Sequence, residues 1–325
     1  IPFGEMIPLY GDYADGFWER SIEETAGNYY KAFNFTASQV SGAIGSEQLD
    51  YSLFTIHSSL FTSGTTSQPE YPYFTCELGG GMMAAYHRRP YIYPEDALSM
   101  AVVKLGSGSN LLGYYMYHGG TNPDGKTWLN EMQRTVATNY NDMPVKNYDF
   151  QAPLGEFGQR NPHYYLLRPL HLFMQDYGEL LAPMEATFPC RQDLPKGDDT
   201  ALRWSYRSKD GSGFIFINNY ERLQNLSAKK NVQLEACGVK LPKLIIPAGT
   251  ICVLPVNVDG IRYATAQMVA KRDGRIYMEQ IKGIPTTIAL SDGKVLRSVK
   301  AKGTEKPVYK NIYLLTSEEA GRLFL

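Results

Sequence analysis

The run Tyr73-Phe74-Thr75-Cys76-Glu77-Leu78-Gly79-Gly80-Gly81 constrains this chain more than any other stretch. An aromatic, β-prone segment ends on a carboxylate and then breaks into three glycines. Glycine lets the backbone take turns, and approaches, that a Cβ forbids. A glutamate at the tip of a buried strand, with the chain opening beside it, is how a barrel enzyme presents a reactive group at its mouth. A second run repeats the pattern: Leu111-Leu112-Gly113-Tyr114-Tyr115-Met116-Tyr117 reads as a strand, and His118-Gly119-Gly120-Thr121-Asn122 as the polar loop after it. One strand end is acidic and the other is rich in Tyr, His and Asn, which suits a polyhydroxylated ligand.

Between these strands, Pro94-Glu95-Asp96 opens a helix with apolar positions at Leu98, Ala101, Val102 and Leu105. Proline and acids belong in a first helical turn. Upstream, Asp15 is placed to cap a helix over roughly 16–34, while 46–61 fits helix or strand. Downstream, residues 162–181 predict a strongly apolar helix, with Pro169 marking a kink or a break between two helices. This alternation is α/β, of the barrel or doubly wound kind. Near residue 183 the composition shifts to short β-rich runs between Gly, Pro and Asp turns. Residues 213–220 read as a strand, and 243–246 with 251–254 as a hairpin about Pro247-Ala248-Gly249. Thr316-Ser317-Glu318-Glu319 has the spacing of a capping box and launches a last, short helix. The expected organisation is therefore two parts, 1–183 and 184–325, within a chain segmented at both ends.

Composition narrows the function. Lysine and arginine number 32 against 33 acids, so the net charge of −1 gives no support for nucleic-acid steering or for an anionic membrane surface. No apolar run approaches a membrane span. Cys76, Cys190, Cys237 and Cys252 form no CxxC pair and the five histidines show no ligand spacing, so neither a metal nor another cofactor is called for. Cys237 and Cys252 could pair, or remain free buried thiols.

Three motifs then occur in order: Glu77 to Gly81, Gly113 to Asn122, and Asn147-Tyr148-Asp149-Phe150-Gln151-Ala152-Pro153-Leu154-Gly155-Glu156-Phe157-Gly158. Together they resemble the β-galactosidases of glycoside hydrolase family 35. The resemblance implies a partial (β/α)8 TIM-like barrel over 1–183, made of its C-terminal strands and helices, and a β-sandwich-like accessory region over 184–325. It implies a retaining exo-β-galactosidase acting on terminal β-linked galactose, in a secreted or periplasmic setting. Glu77 falls on the family's nucleophile, Tyr115 on the tyrosine beside it, and Tyr148 on a site tyrosine of the Tyr-Asp-Tyr-Asp-Ala-Pro motif. Phe150 replaces that motif's second tyrosine, which removes one hydroxyl contact, and Met82 stands where many members carry a stacking tryptophan. His118 and Asn122 are further candidates for sugar contact. The family's acid/base glutamate lies in an Asn-Glu pair on an earlier strand, and no such motif precedes residue 77. Asn130-Glu131 follows the nucleophile and is taken as a chance match. This segment alone is thus expected to turn over poorly, needing the rest of the barrel or a second copy as partner.

Each assignment has a bland counterpart. Glu77 could be a strand-end carboxylate in an ordinary ion pair, Tyr115 could be core, and His87-Arg88-Arg89 could be a solvated basic face. At the level of the whole chain, the rivals to an enzyme are a carbohydrate-binding relic without catalysis and a structural module whose strands only pack.

Overall fold

The computed structural model describes residues 9–12, 74–82, 91–122, 146–189, 194–195 and 197–325, with backbone alone at 9–12, 76 and 77. The helix expected over 16–34, the ambiguous 46–61, the 87–89 basic cluster, Asn130-Glu131 and Cys190 lie outside the described residues.

Strands β1 (Leu9–Asp12), β2 (Phe74–Gly79) and β3 (Leu111–Tyr115) form a parallel sheet in the order β1-β2-β3. Helix α1 (Pro94–Gly106) connects β2 to β3, as a parallel pair requires. It begins where the sequence predicts: Pro94 takes the first position, and the Asp96 carboxylate accepts from the Tyr93 N–H at 3.0 Å. Its apolar surface is wider than the expected stripe. Ala97, Met100 and Val103 are buried along with Leu98, Ala101, Val102 and Leu105, because α1 packs against β2 and β3 and also against the β-rich half of the chain. Two short strands, β4 (Gly120–Thr121) and β5 (Asn147–Tyr148), pair antiparallel beyond β3.

Helix α2 (Pro162–Leu181) is one helix, not two. Pro169 removes the N–H that would bond to the Tyr165 carbonyl. Gly321, in the last helix, comes so close to that carbonyl oxygen that an added Cβ would sit 2.7 Å from it. The carbonyl freed by Pro169 therefore faces a residue without a side chain.

The rest of the chain is mainly β. Strands β6 (Glu185–Thr187), β7 (Arg203–Lys209) and β8 (Ser212–Asn218) lead into β9 (Lys229–Val232), β10 (Glu235–Ala236), β11 (Val239–Lys240) and β12 (Leu244–Ile246). After them come β13 (Ile251–Val258), β14 (Ile261–Ala264), β15 (Gln267–Arg272), β16 (Arg275–Glu279), β17 (Ile288–Leu290), β18 (Val295–Leu296), β19 (Ile312–Leu315) and α3 (Ser317–Gly321). One antiparallel sheet runs β18-β17-β14-β13-β8-β7-β6, and a mixed sheet runs β15-β16-β19, with β16 and β19 parallel. The continuous apolar run in β8 reflects burial on both faces. Phe214 and Phe216 join a core with α1 and α2, while Ile215 and Ile217 join another with Leu234, Leu241, Leu244 and Ile246.

The expected hairpin over 243–254 does not form. β12 pairs with β9, and β13 pairs with β8 and β14. The connecting turn is claimed by Asn219, whose amide donates to the carbonyls of Ile246 and Pro247 at 3.3 and 2.9 Å while its own carbonyl accepts from Gly249 N–H. Cys237 and Cys252 are free thiols. The capping box at Thr316 and Glu319 forms, with the hydroxyl accepting from Glu319 N–H at 3.2 Å.

Helix α1 is clamped at both ends by charges from the β-rich half. At its N-terminus, buried Asp96 accepts from the Tyr220 hydroxyl at 2.7 Å and from the Arg222 guanidinium. At its C-terminus, buried Arg207 donates to the carbonyls of Leu105 at 3.2 Å and Ser109 at 2.9 Å. The same guanidinium reaches the end of α2, through Leu181 and Ala182 at 3.0 and 3.3 Å, and also Met184 and the Asn110 side chain. Carbonyls at helix C-termini lack intrahelical donors and carry the negative end of the dipole. Burial pulls the Arg207 guanidinium down to about 10, so it remains a cation at neutral pH. Replacing it, as Arg207→Met, should cost about 3–5 kcal/mol by stranding buried acceptors. Urea unfolding measures this, and a midpoint within error of the parent's would contradict it.

Candidate active site

Strands β2 and β3 set the site by alternation. Leu78 pairs with Tyr114, and Gly79 with Tyr115. Leu78 and Tyr114 belong to the core with α1 and α2. The Tyr114 hydroxyl shares a 2.9 Å hydrogen bond with His171 Nε2 on α2, and the rings of Tyr117 and His171 lie 5.4 Å apart. Burial, aided by the Arg168 cation, pulls His171 down to about 4, so it is neutral at physiological pH. Burial pushes the Tyr114 phenol up. With Leu78 and Tyr114 packed on the helices, Gly79 and Tyr115 occupy the opposite face of their strands. Glu77 pairs with Gly11 of β1, just after a register shift in β2. It stands near the C-terminal end of a parallel strand.

The glycines after it are required by close approach. A Cβ on Gly80 would sit 2.5 Å from the Met116 carbonyl oxygen, and one on Gly81 would sit 2.3 Å from that of Phe150. Both contacts are hydrogen-bonded on either side: Gly80 N–H donates to Tyr115 O at 3.3 Å, and Met82 N–H to Phe150 O at 2.7 Å. The peptide joining Tyr115 to Met116 is cis. The backbone after β2 is therefore stitched to the end of β3 and to the loop after β5.

That loop is held by one carboxylate. Asn147 Oδ1 accepts from Asp149 N–H at 3.0 Å, and Asp149 Oδ2 accepts from Gln151 N–H at 3.2 Å. These are successive Asx turns, in which a short polar side chain bonds the backbone two residues on. Asp149 Oδ1 also accepts from Glu156 N–H at 2.6 Å and from Gln159 Nε2 at 3.2 Å. Phe150 and Gln151 both take left-handed backbone angles, with φ of 57° and 55°. Two non-glycine residues in that region cost energy that the surrounding bonds must offset. Gln151 supplies two of them, donating to Met82 O at 3.2 Å and accepting from Ile92 N–H at 3.3 Å.

The result is an aromatic cluster. The hydroxyls of Tyr115 and Tyr148 hydrogen-bond to each other. The Phe150 ring lies 4.3 Å from that of Tyr148 and 5.7 Å from that of Tyr115, edge to face with the latter. Three of the sequence-assigned residues thus meet directly. His118 and Asn122 lie on either side of β4. His118 is exposed, bridges to Leu154, and donates from Nδ1 to the Gly119 carbonyl. Asn122 is half-buried, with its backbone N–H on Lys146 O at 2.7 Å.

Residues 14–174 match the family model for glycosyl hydrolases family 35. This match, over just under half of the chain, supports membership of glycosyl hydrolase family 35. Among curated relatives, it is 25% identical to Beta-galactosidase 8 of Arabidopsis thaliana over 222 residues, which is 68% of this chain and 22% of that protein. Identity to Beta-galactosidase 3 of Oryza sativa subsp. japonica is 33% over 107 residues, 32% of this chain and 11% of that protein. Beta-galactosidase 11 of Arabidopsis thaliana is 29% identical over 180 residues, 52% and 17% of the two chains. The chain therefore spans about a fifth or less of the length of these relatives.

Two departures from the family-35 pattern have a structural consequence. Met82, at the stacking-tryptophan position, is buried in the core. Phe150 is also mostly covered, and it backs the two tyrosines as a wall. Sequence reasoning missed Asp149 and Gln151 as organisers of the loop. The alternation Asn147-x-Asp149-x-Gln151 was the available signal, since Asx turns are local. Among the described residues, no group of three His, Cys, Asp or Glu is placed to hold a metal ion.

The crowding at Gly81 is testable. Gly81→Ala should destabilise the protein by about 1–3 kcal/mol, because the new methyl collides with backbone that cannot swing aside. It should also displace Phe150 from its contacts with Tyr115 and Tyr148. A variant with the parental melting temperature would show that the approach is looser than described.

Proposed function

We propose that the protein is a retaining exo-β-galactosidase and that Glu77 is its nucleophile. The observation carrying this reading is the convergence of the three motifs: the end of β2, the Tyr115–Tyr148 pair and Phe150 meet at the C-terminal end of a parallel sheet, where barrel enzymes place their chemistry. On this reading the sheet β1-β2-β3 is part of a (β/α)8 barrel reaching to about residue 183, and 184–325 is an accessory β region. The relatives' names, all β-galactosidases, favour terminal β-linked galactose as substrate.

The chemistry follows from two carboxyls about 5–5.5 Å apart. Glu77 attacks the anomeric carbon, and a galactosyl ester forms as the glycosidic C–O bond breaks. The second carboxyl protonates the departing oxygen, then takes a proton from the water that cleaves the ester. The Tyr115–Tyr148 bond uses one O–H, and the other O–H is the donor we assign to the Glu77 carboxylate. Such a bond keeps the nucleophile ionised and aimed. The Phe150 ring holds the two phenols in place, and His118 and Asn122 border the sugar from the β4 side. Residues 1–76 carry no Asn-Glu pair, so residues 1–325 by themselves bind the sugar without efficient turnover. That same feature supports a second reading, a carbohydrate-binding relic. It is distinguished by millimolar galactose binding with no hydrolysis in the intact protein.

In the intact protein, Glu77→Gln should lower kcat by about a thousandfold or more while galactose affinity stays nearly unchanged, since the charge is needed chiefly in the transition state. Steady-state kinetics and calorimetry read the two effects separately. Near-normal turnover would rule out the nucleophile assignment.

A further inference from the structure

The loop after Pro153 presents an aromatic ring to solvent on a rigid support. Phe157 is 85% exposed, and it makes no ring or cation contact with the described residues. Leaving a phenylalanine in water forgoes the free energy that burying its ring would gain. Its backbone is nevertheless tightly held. Leu154 bridges to Arg160, Gly155 N–H donates to Gln159 O at 2.9 Å, and Gly158 N–H donates to Gly155 O at 2.9 Å. Phe157 N–H itself donates to Gln159 Oε1 at 3.0 Å. Gly158 supplies the left-handed turn, with φ of 79°. An exposed ring on a floppy loop is unremarkable, whereas one carried on backbone held this firmly is placed for contact.

Its neighbours in the loop and on β4 and β5 are polar. The Glu156 carboxylate accepts from the Thr121 hydroxyl at 2.5 Å and from the Asn147 amide, so it is oriented before any ligand arrives. Glu156 N–H is bonded to Asp149, which lies between Tyr148 and Phe150 in the chain. Thr121, Asn147 and His118 are exposed around it. A ring face beside a fixed carboxylate is complementary to a pyranose, which offers a C–H face for stacking and hydroxyls for donation.

We propose that Phe157 and Glu156 form an outer subsite that holds the leaving-group sugar of an oligosaccharide, Phe157 by stacking and Glu156 by accepting a sugar hydroxyl. The assignment rests on the galactosidase reading. The inner sugar is enclosed by Tyr115, Tyr148 and the Glu77 strand end, and Phe157 lies at the outward tip of the adjoining loop. The acceptor capacity left on Glu156 discriminates for sugars over plain alkyl leaving groups.

Calorimetry on the intact protein tests this with galactose and with a β-1,4-linked galactosyl-glucose disaccharide as probes. Phe157→Ala should weaken disaccharide binding by about fivefold or more and leave galactose binding unchanged, and Phe157→Tyr should restore it. Kinetics should agree: KM for the disaccharide rises, while methyl β-galactoside is hydrolysed as before. Equal losses on both sugars, no change on either, or a drop in melting temperature with unaltered binding would each overturn the subsite. The last result would mean that the ring is packing surface. Because the first readout is binding, it separates the two proposals. Phe157-dependent disaccharide binding without hydrolysis would count against the reaction and in favour of the subsite.

Discussion

No side chain fits between the chain at Gly80–Gly81 and the two carbonyl oxygens it faces, at Met116 and Phe150. That constraint joins three segments distant in sequence, because the backbone itself is the contact. Once it is met, the end of β2 is fixed against Tyr115 and against the loop bearing Tyr148 and Phe150. The geometry relevant to function is thus set by main-chain bonds. Side chains in the cluster are then oriented by strand parity and by the Asx turns at Asn147 and Asp149. A site supported this way loses little entropy on binding, since its parts are already in place.

The β-rich half contributes to this arrangement without touching it. Asp96 and Arg207 neutralise the two ends of α1 with groups drawn from, or bonded to, the later strands. Arg207 also gathers the end of α2, the helix whose His171 holds Tyr114. A path of direct contacts therefore runs from β7 through α2 to β3. It gives the β-rich half a physical route to a site whose residues all precede it.

Much of this was legible in the sequence because the signals are local. The strand before Gly79, the helix beginning at Pro94 and the capping box at Thr316 each depend on residues within a few positions of one another. Partner choice is not local. Residues 243–254 carry the pattern of a hairpin, yet β12 leaves for β9 because Asn219 binds the turn between them. Arg207 sits in an alternating strand and reads as a solvent-facing charge; its acceptors lie on helix ends about a hundred and about twenty-five positions away. Pro169 predicted a kink or an interruption, yet the helix continues through it, and Gly321 approaches the carbonyl it frees. In the site, the tyrosines could be assigned from motif order, whereas the exposure of Phe157 is a property of the folded loop alone.

The central claim is that the carboxylate of Glu77 becomes covalently bonded to the sugar. The direct measurement is labelling of the intact protein with a 2-deoxy-2-fluoro-β-galactoside bearing a good leaving group, followed by proteolysis and mass mapping. The account predicts one adduct, on the peptide containing Glu77, with activity lost in proportion. An adduct on a different carboxylate, or sugar hydrolysis that survives the reagent with no adduct formed, would contradict it.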